Sequence, residues 1–132
     1  MPFRVMVVRV LTAAVLLLAG MVPVHSAAAV PSPVAQAEIA HLLSYLASSG
    51  CQFFRNGKWY EAPAARDHLQ DKYDYLRRKA LVGTAEDFIR HAATQSSVSG
   101  KPYRVRCGTS EPLQSATWLT EELARHRSAA GR

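Results

Sequence analysis

Cysteine is scarce: there are 2 in 132 residues, too few for a four-cysteine zinc centre or a multiply bridged miniprotein. Glycine and proline are present at 7 each. No period of about 20–50 residues recurs, so repeat architectures are excluded. Familiar catalytic signatures are missing too. The chain has no G-x-S-x-G elbow, no H-E-x-x-H, no Walker loop and no paired dinucleotide glycines. Its 5 histidines include no i, i+4 pair, so no metal centre is expected, and neither a cofactor nor a catalytic residue can be assigned. What remains is 48% hydrophobic and 20% charged residues. That is too apolar for a disordered chain and sized for one small domain.

Residues 1–29 read as a secretory signal peptide. Arg4 and Arg9 form the positive start, residues 10–24 are an apolar run broken only by Thr12, and Ala27, Ala28 and Ala29 give the small-residue cleavage pattern. The competing reading, an uncleaved anchor, meets a run shorter than the roughly 20 residues a spanning helix needs. No arginine pair precedes the run. Met21 stands where a lipidated cysteine would follow Leu18, Ala19 and Gly20, so no stable membrane anchor is expected after cleavage. The product would be periplasmic or secreted. Cleavage removes Arg4 and Arg9 but no acidic residue, which lowers the net charge from +6 to +4. This mild excess is an ordinary solvated surface with no call for nucleic acid.

Beyond a flexible lead-in at residues 30–35, one domain is predicted over 36–126, followed by a disordered tail at 127–132. A first helix over 36–49 carries Ile39, Leu42, Leu43 and Leu46 on one face. Asn56-Gly57, set between apolar segments, predicts a β-hairpin with a type I′ turn. Helix returns over 62–79. A third helix opens with the capping-box signature of Thr84 and Asp87 and frays near Ser96. A strand follows over 103–107, then a loop around Pro112 and a last helix bearing Trp118, Leu119 and Leu123. The class is α+β, a mostly helical single domain with a short hairpin and one further strand. In an oxidising compartment Cys51 and Cys107 are expected to form a structural disulfide rather than redox-active thiols, since no C-x-x-C is present.

Two helices break the apolar pattern. At roughly 100° per residue, Lys72 falls inside the stripe formed by Ala65, Leu69 and Leu76, and His68 borders it. Ser96 falls among Phe88, Ile89 and Ala92. One reading is a polar pocket for a small anion: His68 and Lys72 as heads, with Ser96, Ser97, Ser99 and Tyr103 adding hydroxyls and the serine-rich turn its N–H groups. The other is a structural network in which Lys72 meets Glu86 or Asp87 and the serines cap the third helix.

The residues Phe53-Phe54-Arg55-Asn56-Gly57, His68-Leu69 with Lys72, Thr84-Ala85-Glu86-Asp87-Phe88-Ile89 and Ser96-Ser97-Val98-Ser99-Gly100-Lys101-Pro102-Tyr103 resemble the YfeK-like family. These are small bacterial exported proteins forming a domain of unknown function. The resemblance covers residues 39–106 and implies a single periplasmic domain. No activity, cofactor or catalytic residue comes with it. Three functional classes follow. The first is a non-enzymatic module binding a small anionic ligand or an envelope protein partner. The second is a small hydrolase using His68 as general base. The third is a purely structural interaction protein.

Overall fold

The computed structural model describes residues 29–132; the signal peptide read over 1–29 lies outside the described residues except for Ala29. Eight elements follow in order: α1 (Pro33–Ser48), β1 (Gln52–Arg55), β2 (Lys58–Glu61), α2 (Ala62–Arg78), α3 (Ala85–Ala92), β3 (Arg104–Arg106), β4 (Leu113–Gln114) and α4 (Ser115–Ala129). The strands form one antiparallel sheet in the order β2-β1-β3-β4. The fold is α+β, as predicted. No helix among the described residues is long and apolar enough to cross a membrane.

The hairpin forms where Asn56-Gly57 places it. Asn56 has φ 49° and Gly57 φ 83°, the left-handed pair a type I′ turn requires. Strand alternation then sorts the side chains. Phe53 pairs with Tyr60 and with Val105, and Phe53 and Val105 are buried; this is the face turned toward the helices. Arg55, two residues beyond Phe53, lies on that same inner face. On the helical side, Ile39, Leu42, Leu43 and Leu46 of α1 are buried against Phe88, Val82 and Leu119. The predicted face of the first helix is therefore the centre of the core.

Cys51 and Cys107 are joined in a disulfide. Gln52 pairs with Arg106 across β1 and β3, so the two cysteines are the next pair in the same register, and the bridge extends the ladder.

Four local expectations are corrected. First, α1 begins at Pro33, with Ser32 accepting the Ala35 N–H at 3.1 Å. The residues before it are held as well, since the Gln36 side chain donates to the Pro31 carbonyl at 3.0 Å. Proline suits the first helical turn, where its missing N–H costs nothing. Second, Leu113 and Gln114 form an edge strand where a loop was expected. Third, α4 continues to Ala129, so residues 127–129 are helical rather than a disordered tail. Arg127 reaches the buried Glu38 through two hydrogen bonds of 2.8 and 3.2 Å and also meets Glu86. Fourth, α3 ends at Ala92, and Ser96 is buried in the turn beyond it rather than on the helix.

The capping box is present. Thr84 Oγ1 accepts the Asp87 N–H at 3.0 Å, and Asp87 Oδ2 accepts the N–H groups of Thr84 at 3.3 Å and Gly83 at 2.9 Å. The Gly83 N–H, with further help from Arg90 and Thr84, holds the Asp87 carboxyl below its usual range. A carboxyl lowered by folding contributes stability at neutral pH that disappears as pH falls through its folded value. Thr84→Ala is expected to cost about 1 kcal/mol in urea unfolding at pH 7. Asp87→Asn should flatten the loss of stability of the wild-type protein below about pH 4. An unchanged acid limb in Asp87→Asn would assign that loss to other carboxylates.

Candidate functional site

Three separate elements bring polar groups together on the inner side of the hairpin. The first is β1, which ends in Arg55. The second is α2, whose apolar face of Leu69 and Tyr73 is buried and whose flank carries His68 and Lys72. The third is the segment entering β3. There the Tyr103 N–H donates to the Thr94 carbonyl at 2.9 Å, and the Tyr103 carbonyl accepts the Ser115 N–H at 3.0 Å. Pinned on both sides of its backbone, Tyr103 is buried and points its hydroxyl at α2.

The imidazole of His68 lies between Arg55 and Tyr103. Arg55 Nη1 is 2.8 Å from His68 Nδ1, and His68 Nε2 is 3.0 Å from Tyr103 Oη. A guanidinium only donates, so Nδ1 is the acceptor and Nε2 carries the proton. Lys72 Nζ donates to Tyr103 Oη at 3.2 Å and to the Gln95 carbonyl at 3.0 Å. The tyrosine oxygen thus receives two hydrogen bonds, and its own hydrogen has no acceptor among the described residues. Arg55 spends one N–H on His68 and lays its guanidinium 4.5 Å over the Tyr60 ring. Its other donors meet no protein acceptor among the described residues.

The electrostatics are one-sided. Burial, then Arg55 and Lys72, lower His68 from 6.5 to about 4, against a small opposing pull from Asp71. Burial and Arg55 lower the Lys72 ammonium below its ordinary value, and burial raises the Tyr103 phenol. No carboxylate bonds to Arg55, His68 or Lys72 among the described residues. The expected alternative, Lys72 paired with Glu86 or Asp87, is not what forms. Glu86 is taken by Arg127, and Asp87 by Arg90 and the capping box.

A narrow cavity of about 30 Å³ opens beside this cluster. Its walls are apolar, from Leu46, Phe53, Ala65 and Leu69, and its polar lining comes from Arg55, His68, Tyr103 and Ser115. Lys72 lies on the other side of His68, along a surface groove shared with Asp71, His91 and Ser97.

Of the six residues singled out from the sequence, His68, Lys72 and Tyr103 are brought together. The serines are not. Ser96 Oγ accepts the N–H groups of Val98 and Ser99, each at 3.2 Å, so it closes its own turn. The Gly100 N–H is likewise spent on the Ser96 carbonyl at 2.9 Å. Ser99 Oγ donates to Asn56 Oδ1 at 2.7 Å, tying this turn to the hairpin tip, and Ser97 is exposed on the groove wall. These groups hold the loop, and the turn has no free N–H nest to offer an anion. Nor do the serines cap α3, where Thr94 Oγ1 reaches back to the Ile89 carbonyl at 2.8 Å.

Two site residues escaped the sequence reading. Arg55 was legible in principle, because hairpin alternation from Phe53 puts it on the inner face. Ser115 gave no signal, since it sits at the start of α4 directly after an unexpected strand.

A search for related solved structures finds no match. One relative is the uncharacterized protein YfeK of Salmonella typhimurium strain LT2, 38% identical over 69 residues. That match covers 52% of this chain and 56% of the relative, so the chain spans little more than half of the curated protein it matches. The family of unknown function DUF5329 matches residues 33–127, from the first residue of α1 to the arginine that anchors α4, and the chain belongs to that family.

Proposed function

We propose that this chain is an exported, non-enzymatic binding protein that takes a small anionic ligand at the Arg55–His68–Lys72–Tyr103 cluster. The observation that carries this reading is a chain of half-buried groups, Arg55 on one ring nitrogen of His68 and both His68 and Lys72 on the Tyr103 hydroxyl, with no carboxylate bonded to the two cations among the described residues. Buried charge is ordinarily paired, because desolvation without a counter-charge is costly. An anion would accept from the open fork of Arg55 and from the idle Tyr103 O–H, and would offset the burial and repulsion that lower Lys72 and His68. Export is supported by the leader pattern of residues 1–29 and by a disulfide suited to an oxidising periplasmic or extracellular setting.

The hydrolase reading has less support. Both ring nitrogens of His68 are engaged, and a group held near pH 4 is a weak base at neutral pH.

Calorimetric titration with acetate, propionate and inorganic phosphate tests the proposal. Arg55→Gln is expected to weaken binding at least tenfold, a charge-assisted pair being replaced by a neutral one. Lys72→Met supplies the second readout. A cation disfavoured by its surroundings costs stability, so its removal should leave the melting midpoint unchanged or raised. A fall of many degrees with no anion bound would make the cluster part of the scaffold.

A further inference from the structure

Ser115 is 3% exposed, and its Oγ is the one buried side-chain polar atom among the described residues without a hydrogen-bond partner. It lines the same narrow cavity as Arg55, His68 and Tyr103. Its own backbone N–H is already used on the Tyr103 carbonyl, so the hydroxyl is the donor of Ser115 left without a partner beside this space. An unmet hydroxyl in an apolar enclosure costs free energy in the folded state and is seldom retained without a partner. The space available, about 30 Å³, admits roughly two water-sized groups.

Resting on the anion-binding reading above, we infer that the ligand is a short carboxylic acid bearing a hydroxyl or keto oxygen, with Ser115 as the residue that recognises this oxygen. The carboxylate meets the donors of Arg55 and Tyr103 at the polar edge. The short carbon body lies against Phe53, Ala65 and Leu69, and the neutral oxygen pairs with Ser115 Oγ. The size of the enclosure limits the buried part to a carbon and its oxygen. Electrostatics exclude an amine there, because Arg55 lines the space with positive charge and Lys72 adds its own from behind His68. A simple fatty acid would leave Ser115 as it stands, unpaired.

The test is a crossed titration of the full mature chain. Propionate, 2-hydroxypropionate, 3-hydroxypropionate and pyruvate are measured by calorimetry against wild type, Ser115→Ala and Arg55→Gln. Wild type is expected to favour at least one oxygenated acid over propionate by tenfold or more. Ser115→Ala should bring that ratio close to one while propionate itself binds as before, and its melting midpoint should not fall. Arg55→Gln should weaken every acid alike and keep the ratio. If the acids bind but the ratio is near one in wild type, or survives in Ser115→Ala, the assignment of Ser115 is overturned and the anion site stands. If no acid binds wild type at millimolar concentration, the anion-binding reading fails and this inference with it.

Discussion

Removing the Cys51–Cys107 bridge, by reduction or in the double variant Cys51→Ala/Cys107→Ala, is expected to lower the melting midpoint by on the order of 20 °C. The two cysteines are 56 residues apart. In the chain-entropy description, closing a loop of that length removes about 4 kcal/mol of freedom from the unfolded chain. Domains of this size have only about 5–15 kcal/mol in total. The position adds to the effect, since the bridge continues the register of β1 and β3 and clamps the central pair of a sheet with short strands. Thermal melts followed by circular dichroism, with and without reductant, provide the measurement. A shift below about 5 °C would mean that the reduced chain keeps much of this loop closed by other contacts.

Arg127→Leu is expected to cost about 3 kcal/mol. Glu38 is 3% exposed on the inward face of α1, and the two guanidinium bonds from α4 are what compensate its charge. Truncating the arginine leaves a carboxylate buried without a partner, which is worse than having neither group. The double variant Glu38→Leu/Arg127→Leu should therefore recover most of the loss. Chemical denaturation of the two single variants and the double closes the cycle. If the double variant is as unstable as Arg127→Leu alone, the effect belongs to the helix end and not to the pair.

Where the sequence carried a local rule, the structure follows it. The apolar spacing of α1, the Asn56-Gly57 turn and the Thr84–Asp87 box each depend on residues within one turn of one another, and each formed as read. The ends of the domain did not. Arg127 looked like the start of a charged tail because its partner, Glu38, lies 89 residues away, and no spacing rule reaches that far. The candidate site divides in the same way. Lys72 and His68 stood out as polar residues on an apolar stripe, and Tyr103, named with them from the sequence, meets both from the segment before β3, whereas the alternative partners Glu86 and Asp87 do not. Ser96 was correctly marked as facing inward, yet a helix wheel has no meaning beyond Ala92, where the helix ends, and the hydroxyl serves its own turn. Ser115 depends on a two-residue strand whose pairing with β3 is set by the sheet as a whole.

The strand order has a kinetic consequence. The hairpin β1–β2 closes over a short stretch of chain, whereas β1 must wait for β3, about fifty residues later in sequence. Contacts so distant form slowly, because the loop entropy must be overcome before any pairing is gained. Arg55 stands at the end of β1, and Tyr103 directly precedes β3. The Arg55–His68–Tyr103 cluster is therefore assembled by a long-range docking step, and a chain that has formed its hairpin but has not yet seated β3 has not brought these side chains together. Oxidation of Cys51 and Cys107 before that step would shorten the search, so the rate at which this cluster assembles should follow the rate of disulfide formation.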